Sequence, residues 1–284
     1  MKTKCFKTLL VLFVMSLFAK KFFAQGAYVN INAGYGLSMS SQNIEGFDNS
    51  SSNNNGSSSS GSREQVNVSL GKGFNVGGAF GYMFNKNIGA ELGISYLLGG
   101  NTTAKNSSND NFGGSANNRT TDIIISSNMF RINPSLVIAS GFEKINPYAK
   151  FGLVLGLGSI MYDVNENDNA DIRLMKIKLN GGIALGLNAG VGALFKLSDK
   201  MSFFGELNMV NLSYAPTKGE ITESTKNGVD ELPNMTTREK QIEFVDSYTF
   251  SGGNPPSDSQ PRQELKQKFP FGSFGLNFGL RIGI

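Results

Sequence analysis

The sequence has no histidine, no tryptophan and one cysteine, Cys5, among its 284 residues. Without histidine, no side chain titrates near neutrality unaided, so the commonest general base of enzymes is missing. A carboxylate could act as the base, but no Ser/Asp constellation stands out. A single cysteine cannot form an internal disulfide framework. No apolar run reaches the roughly twenty residues that a transmembrane helix needs. The N-terminal run, LLVLFVMSLFA over Leu9–Ala19, is ended by Lys20 and Lys21. The mean hydropathy of −0.16 reads as soluble. That average would hide a β-barrel, because only every second residue of each strand meets lipid.

Lys2, Lys4 and Lys7 precede the apolar run and FFAQ follows it, which is the layout of an export signal over residues 1–24, cut after Ala24. A membrane anchor helix is the alternative, and the two lysines end the run too early for it. Cys5 lies ahead of the run and cannot become a lipid-modified N-terminus. The signal changes the charge argument. The whole chain is +4, from 26 basic and 22 acidic residues. Five of the lysines lie in residues 1–24, leaving 21 basic against 22 acidic, or −1, for residues 25–284. The basic balance therefore gives no support to a nucleic-acid partner.

Residues beyond the signal show eight period-2 segments. Their apolar sets begin with Val29, Ile31, Tyr35 and Leu37, then Phe74, Val76, Phe80, Tyr82 and Phe84. Ile88, Leu92, Ile94, Tyr96 and Leu98 follow, then Phe130, Ile132, Leu136 and Ile138. The last four sets are centred on Phe151–Leu157, Ile183–Phe195, Phe203–Met209 and Phe274–Ile284. In the seventh, the phase slips at Val210, Leu212 and Tyr214, as a β-bulge would cause. Segments two and three, four and five, and six and seven are joined by short links. The other joins are long, near residues 38–72, 99–128, 159–181 and 214–270. Short turns at one end and long loops at the other are the layout of an antiparallel up-and-down transmembrane β-barrel with periplasmic turns and extracellular loops. An all-β fold of eight strands over residues 25–284 is expected.

The long joins include SSSNNNGSSSSGS (Ser50–Ser62) and NTTAKNSSNDNFGGSANNRTT (Asn101–Thr121), low-complexity stretches that cannot bury a core. TDIIISS, DIRLMKIKLN and EKQIEFVDSYTF look strand-like and read as barrel strands continued above the membrane. An extra hairpin between Thr217 and Phe250 would make ten strands. A soluble sandwich or lipocalin-like barrel would alternate too, but it would cover its outer face with charge. Here the faces opposite the apolar ones carry few charges and many glycines.

Taking each apolar set as lipid-facing tests the reading. Glu91, Arg131, Lys150, Lys196, Glu206 and Arg281 all fall on the other face, which random phase gives about once in sixty trials. An eight-stranded barrel has room inside only for side chains, so these charges must pair or meet water. A lumenal network of Glu91 and Glu206 with Arg131, Lys150 and Arg281 is expected, as a structural plug or as a gate. Lys196 lies at the rim and is expected in solvent. Gly152, Gly156, Gly182, Gly186, Gly190, Gly275 and Gly279 could leave wet pockets beside the network.

No catalytic residue, metal ligand or cofactor is expected. DVNENDNAD (Asp163–Asp171) has calcium-type spacing, but Asp168 and Leu174 stand where an EF-hand loop needs Gly and Glu. It reads as a solvated loop. GKGFNVGG (Gly71–Gly78) lacks the GK[ST] of a phosphate loop and no helix is expected after it. The Asn-x-Ser/Thr matches are expected by chance in such loops.

GGAFGYMFNKNIGAELGISY (Gly77–Tyr96) and the terminal GLNFGLRIGI resemble the small outer-membrane β-barrel family, the OmpA-like or OmpX-like, Bacteroidetes-like, eight-stranded porin-type barrel. The first stretch resembles that family's Gly–Tyr–Phe hairpin with a glutamate in the next strand, here Glu91. The second resembles the signal read by the barrel-assembly machinery, carried by Phe278, Leu280, Ile282 and Ile284. That family usually ends on an aromatic residue, where this sequence has Ile284. The resemblance implies a Gram-negative outer-membrane location, lipid contact, and periplasmic chaperones during biogenesis. A monomer is expected, without a peptidoglycan-binding domain. The expected role is structural or adhesive, through an extracellular ligand on the long loops. A small pore is the alternative, and a lipid-modifying enzyme, whose barrel families use histidine, a second one.

Overall fold

A computed structural model of the protein describes residues 26–55, 58–112, 115–169, 171–249 and 257–284. The expected export signal and its cut site lie outside the described residues, as do Phe250 and Cys5.

Eight strands carry the alternating segments. They are β1 (Gly26–Ser38), β4 (Gly73–Met83), β5 (Ile88–Gly99), β7 (Ser115–Ala139), β8 (Ile145–Asp168), β10 (Ala184–Lys196), β11 (Met201–Tyr214) and β17 (Ser273–Gly283). Antiparallel pairing runs β1–β4–β5–β7–β8–β10–β11–β17 and returns to β1. The last link matches Tyr28 with Gly283 and Ser38 with Ser273, so the first and last strands pair along their whole length. Short turns join three pairs of these strands at one end. Their sequence explains them. The Asn85 side chain accepts from the backbone of Asn87 and Ile88, and the Ser198 hydroxyl accepts from Met201 N–H. Such side chains close a turn in place of the backbone.

The outward faces are the apolar sets. Ile31, Phe74, Phe80, Leu92, Ile94, Leu136, Phe151, Leu153, Leu187, Val191 and Leu276 are all exposed. Aromatic rings lie in this band, with Tyr35 edge-on to Phe74 at 4.9 Å and Phe203 stacked on Phe278 at 6.2 Å. No charged side chain interrupts it. The exposed sets Phe74–Phe84 and Ile88–Leu98 each span eleven residues, a length that crosses a bilayer at a tilt.

The remaining strands correct the expectation of long loops. They are β2 (Gln42–Asn54), β3 (Ser59–Val68), β6 (Thr102–Phe112), β9 (Asp171–Asn180), β12 (Lys218–Lys226), β13 (Val229–Asp230), β14 (Gln241–Val245), β15 (Arg262–Leu265) and β16 (Phe269–Pro270). A four-residue helix, Thr237–Lys240, is closed by a reciprocal Thr236–Glu239 cap. β7 and β8 are 25 and 24 residues long. Their lower halves belong to the ring. Their upper halves carry a sheet that runs β3–β2–β6–β7–β8–β9–β12–β14–β15. Ser50–Asn54 of the low-complexity stretch is paired on both sides, to β3 and in parallel to β6. Over Ser50–Asn54 polar side chains suffice because backbone hydrogen bonds to both neighbours hold the segment. TDIIISS lies in β7 and DIRLMKIKLN is β9. Among the described residues of EKQIEFVDSYTF only Gln241–Val245 is strand, and β12 pairs with β9 and β14 rather than entering the ring.

The phase slip in β11 also has another cause. Its pairing with β10 is unbroken from Ser202 to Ser213, and its burial alternates throughout. There is no bulge. Val210, Leu212 and Tyr214 keep the inward phase and are apolar because the ring's upper interior is apolar.

That interior is layered. Near the short turns, Tyr28, Met83, Val137, Ala139, Tyr148, Leu194 and Phe204 form one buried cluster. At the other end a larger cluster joins ring residues Leu97, Met129, Val154, Leu212 and Tyr214 to Ile44, Phe47, Val68, Leu70, Phe269 and Phe271 from the long connections. Tyr214 donates a bifurcated hydrogen bond to the carbonyls of Gly158 and Gly181, both at 2.7 Å, and its ring meets Phe271 edge-on. Each fully buried apolar side chain of this kind contributes about 1.5–3 kcal/mol. Between the two clusters lies a polar layer.

Candidate functional site

Inward parity alone brings Glu91 (β5), Lys150 (β8), Glu206 (β11) and Arg281 (β17) into the lumen. The structure places these four together. Lys150 Nζ lies 3.0 Å from Glu91 Oε1 and 2.8 Å from Glu206 Oε2. Arg281 Nη2 lies 3.7 Å from Glu91 Oε2. Three further residues complete the arrangement. Tyr28 and Asn30 donate to Glu91 Oε2 at 3.1 and 2.7 Å, and Tyr148 donates to Glu206 Oε2 at 2.8 Å. Arg281 Nε donates to Asn30 Oδ1, and its guanidinium lies 3.8 Å from the centre of the Tyr28 ring. Both carboxylates are thus held by a cation and a phenol, which is what a buried charge requires.

Sequence reasoning missed Tyr28, Asn30 and Tyr148, although a signal existed. All three have the inward phase, and a tyrosine on the polar face of a barrel strand needs a partner for its hydroxyl. Glycine makes room for the two phenols. A Cβ at Gly81 would fall 2.0 Å from Tyr28 Cζ, and one at Gly192 would fall 2.8 Å from the Tyr148 hydroxyl. Some of the glycines expected to border wet pockets seat side chains in the same way, while Gly190 also lines a cavity beside the network. Met129 packs over Gly156, Phe204 over Gly279 and Glu206 over Gly190. Gly182 lies outside the strands, at φ +76.

Arg131 does not join the other four. It is 3% exposed, and its one side-chain hydrogen bond among the described residues is from Nη1 to Asn75 Oδ1 at 3.4 Å. Its Nε and Nη2 have no hydrogen-bond partner among the described residues. The register explains the separation. Ser135, not Arg131, lies opposite Glu91. Arg131 is four residues further along β7, roughly 13 Å towards the long connections. It borders a cavity of ≈ 80 Å³ that Glu91, Lys150 and Glu206 also line, with asparagines from six strands.

The rest of the sequence-derived residues are distributed as follows. Lys196 is at the rim, half-exposed and paired with Asp199 at 2.9 Å. Phe278, Leu280, Ile282 and Ile284 point outward, and the backbone N–H of Ile284 bonds to Ala27. Asp163, Asn165 and Asn167 lie on β8 opposite Ile124, Asp122 and Thr120, in extended strand rather than in a loop that could wrap a cation. Gly71–Gly78 leads into β4, not into a helix.

Residues 8–242 match the sequence profile of the outer membrane protein beta-barrel domain. The chain belongs to this family. None of the curated proteins matches the sequence. As an outer membrane β-barrel protein it is integral to that membrane, and the uncharged apolar band on the ring is the surface that membership requires. The lumenal ion cluster is then the interior of an outer-membrane barrel domain.

Proposed function

We propose that the ring of eight strands is the transmembrane barrel, that its lumen is plugged, and that the protein acts by structure and surface contact rather than by transport or catalysis. The observation that carries this reading is the pair of apolar clusters closing the polar layer from both sides. A pore would need a polar path through both, and Phe47, Leu70 and Phe271 occupy the upper one. The upper sheet, rich in serine, asparagine and charge, stands on the extracellular side and is the surface that meets a ligand or matrix. Export by residues 1–24, monomeric insertion into lipid, and assembly through the signal on β17 belong to the same reading. The lumenal carboxylates serve as acceptors for lysine, arginine and tyrosine, so none is free to act as a base.

The test is conductance in planar bilayers after refolding in detergent, with heat-modifiable gel mobility as the check of folding. The expected outcome is a mobility shift without current. Discrete current steps from mobility-shifted protein would overturn the plug.

A further inference from the structure

The charges inside the ring do not balance. Lys150, Arg281 and Arg131 face two carboxylates, Glu91 and Glu206, and both carboxylates are already engaged by the first two cations. Arg131 is left as a buried guanidinium with Nε and Nη2 unpartnered among the described residues, bordering the central cavity. An uncompensated charge buried in a protein interior is costly. Its usual remedy, a shift to the neutral form, is closed to arginine.

We infer that this cavity is a binding site for a small monovalent anion of the halide class, held by Arg131. The lining fits such a ligand. Asn133 and Asn188 also border the cavity, and each has an unpartnered carbonyl oxygen while its amide is turned to a serine, Ser95 or Ser135, at 3.4 and 3.2 Å. A serine hydroxyl both donates and accepts. A half-turn of each carboxamide therefore keeps its serine bond and points two N–H groups into the cavity beside the guanidinium. The site then has a fixed cation, amide donors and no competing carboxylate on Arg131. The cavity's ≈ 80 Å³ is several times the about 10–15 Å³ that one water needs, so an anion fits with accompanying water. The clusters above and below exclude large anions. The inference does not depend on the surface role proposed above, since a conducting barrel could hold the same ion.

The test refolds the protein in sodium bromide, which removes any need for entry through the closed ends, and collects diffraction at the bromine absorption edge. An anomalous peak in contact with the Arg131 guanidinium is expected. Arg131→Gln should lose it, with affinity falling roughly ten- to a hundredfold, and Arg131→Lys should retain it. Refolding the unaltered protein in bromide against gluconate, at equal ionic strength, gives a second readout. The heat-modifiability midpoint should be higher in bromide, because gluconate is too large for the cavity. No peak at Arg131 in the unaltered protein, or a peak that persists in Arg131→Gln, would overturn the site, as would equal midpoints in the two salts. Should Arg131→Gln not fold, the peak and the midpoints of the unaltered protein decide.

Discussion

Among the described residues, Lys150 is the only cation that touches both lumenal carboxylates. Replacing it with methionine leaves two carboxylates buried in one layer, and removing one partner of such a group costs about 3–5 kcal/mol. Lys150→Met should lower the heat-modifiability midpoint far more than Glu206→Gln, which keeps the bond to Tyr148. Equal effects would mean that solvent reaches the layer. The faces of these residues were legible because alternation in a strand has a period of two, and the charges kept to one phase. Their heights were not legible. Phase says nothing of register, and only the pairing of Glu91 with Ser135 shows that Arg131 stands four residues away. Steric demands across strands were equally hidden. Gly81 reads as a small residue in sequence, yet it is the seat of the Tyr28 ring. Gly81→Val should cost about 1–3 kcal/mol by overpacking, seen as a lower unfolding midpoint in urea.

At the scale of elements, the lipid-facing strands were visible, and of the upper ones only TDIIISS, DIRLMKIKLN and part of EKQIEFVDSYTF. An apolar set on one face marks a strand that borders lipid or a core. Ser50–Asn54 has polar residues on both faces, and its extended form comes from two neighbours at once. The β2–β3 hairpin has one electrostatic clasp. Arg63 grips both oxygens of Asp48 and holds its carboxyl below the usual carboxylate range. A depressed carboxyl stabilises the hairpin above its unfolded pKa, about 3.9, and that contribution disappears as pH falls through the folded value. Amide exchange, corrected for its intrinsic pH dependence, should show β2 and β3 losing protection below about pH 4. Asp48→Asn should have lower protection at neutral pH and no further loss on acidification. A hairpin in the unaltered protein that keeps full protection in acid would refute the clasp. The upper cluster sets a separate expectation. Phe271 is fully buried against Tyr214, so Phe271→Ala should cost about 3–5 kcal/mol. Thermal mobility-shift assays would measure it.

For the whole molecule, the decisive property is an outer surface suited to hydrocarbon and an interior suited to ions. Leu153 is half-exposed on the lipid-facing side of β8. Leu153→Arg should cost about 2–4 kcal/mol in reversible unfolding from bilayers, the depth-dependent penalty of a lipid-facing arginine. No measurable cost would show that this face does not meet lipid. The overall layout was legible because short and long joins alternate along the chain. The rest of the sheet above the ring was not, because those strands answer to each other rather than to lipid.

β7 and β8 run unbroken from the ring into that sheet. The upper part of β8, beyond Leu157, adds eleven residues, or roughly 36 Å of extended chain. A pull on the turn near Asn169 would travel down β8 into its ladders with β7 and β10. Those ladders lie parallel to the pull, so their hydrogen bonds are loaded in shear and share the force together. They would not open one after another like a zip. β8 would thus carry tension from the upper sheet into the ring with little extension.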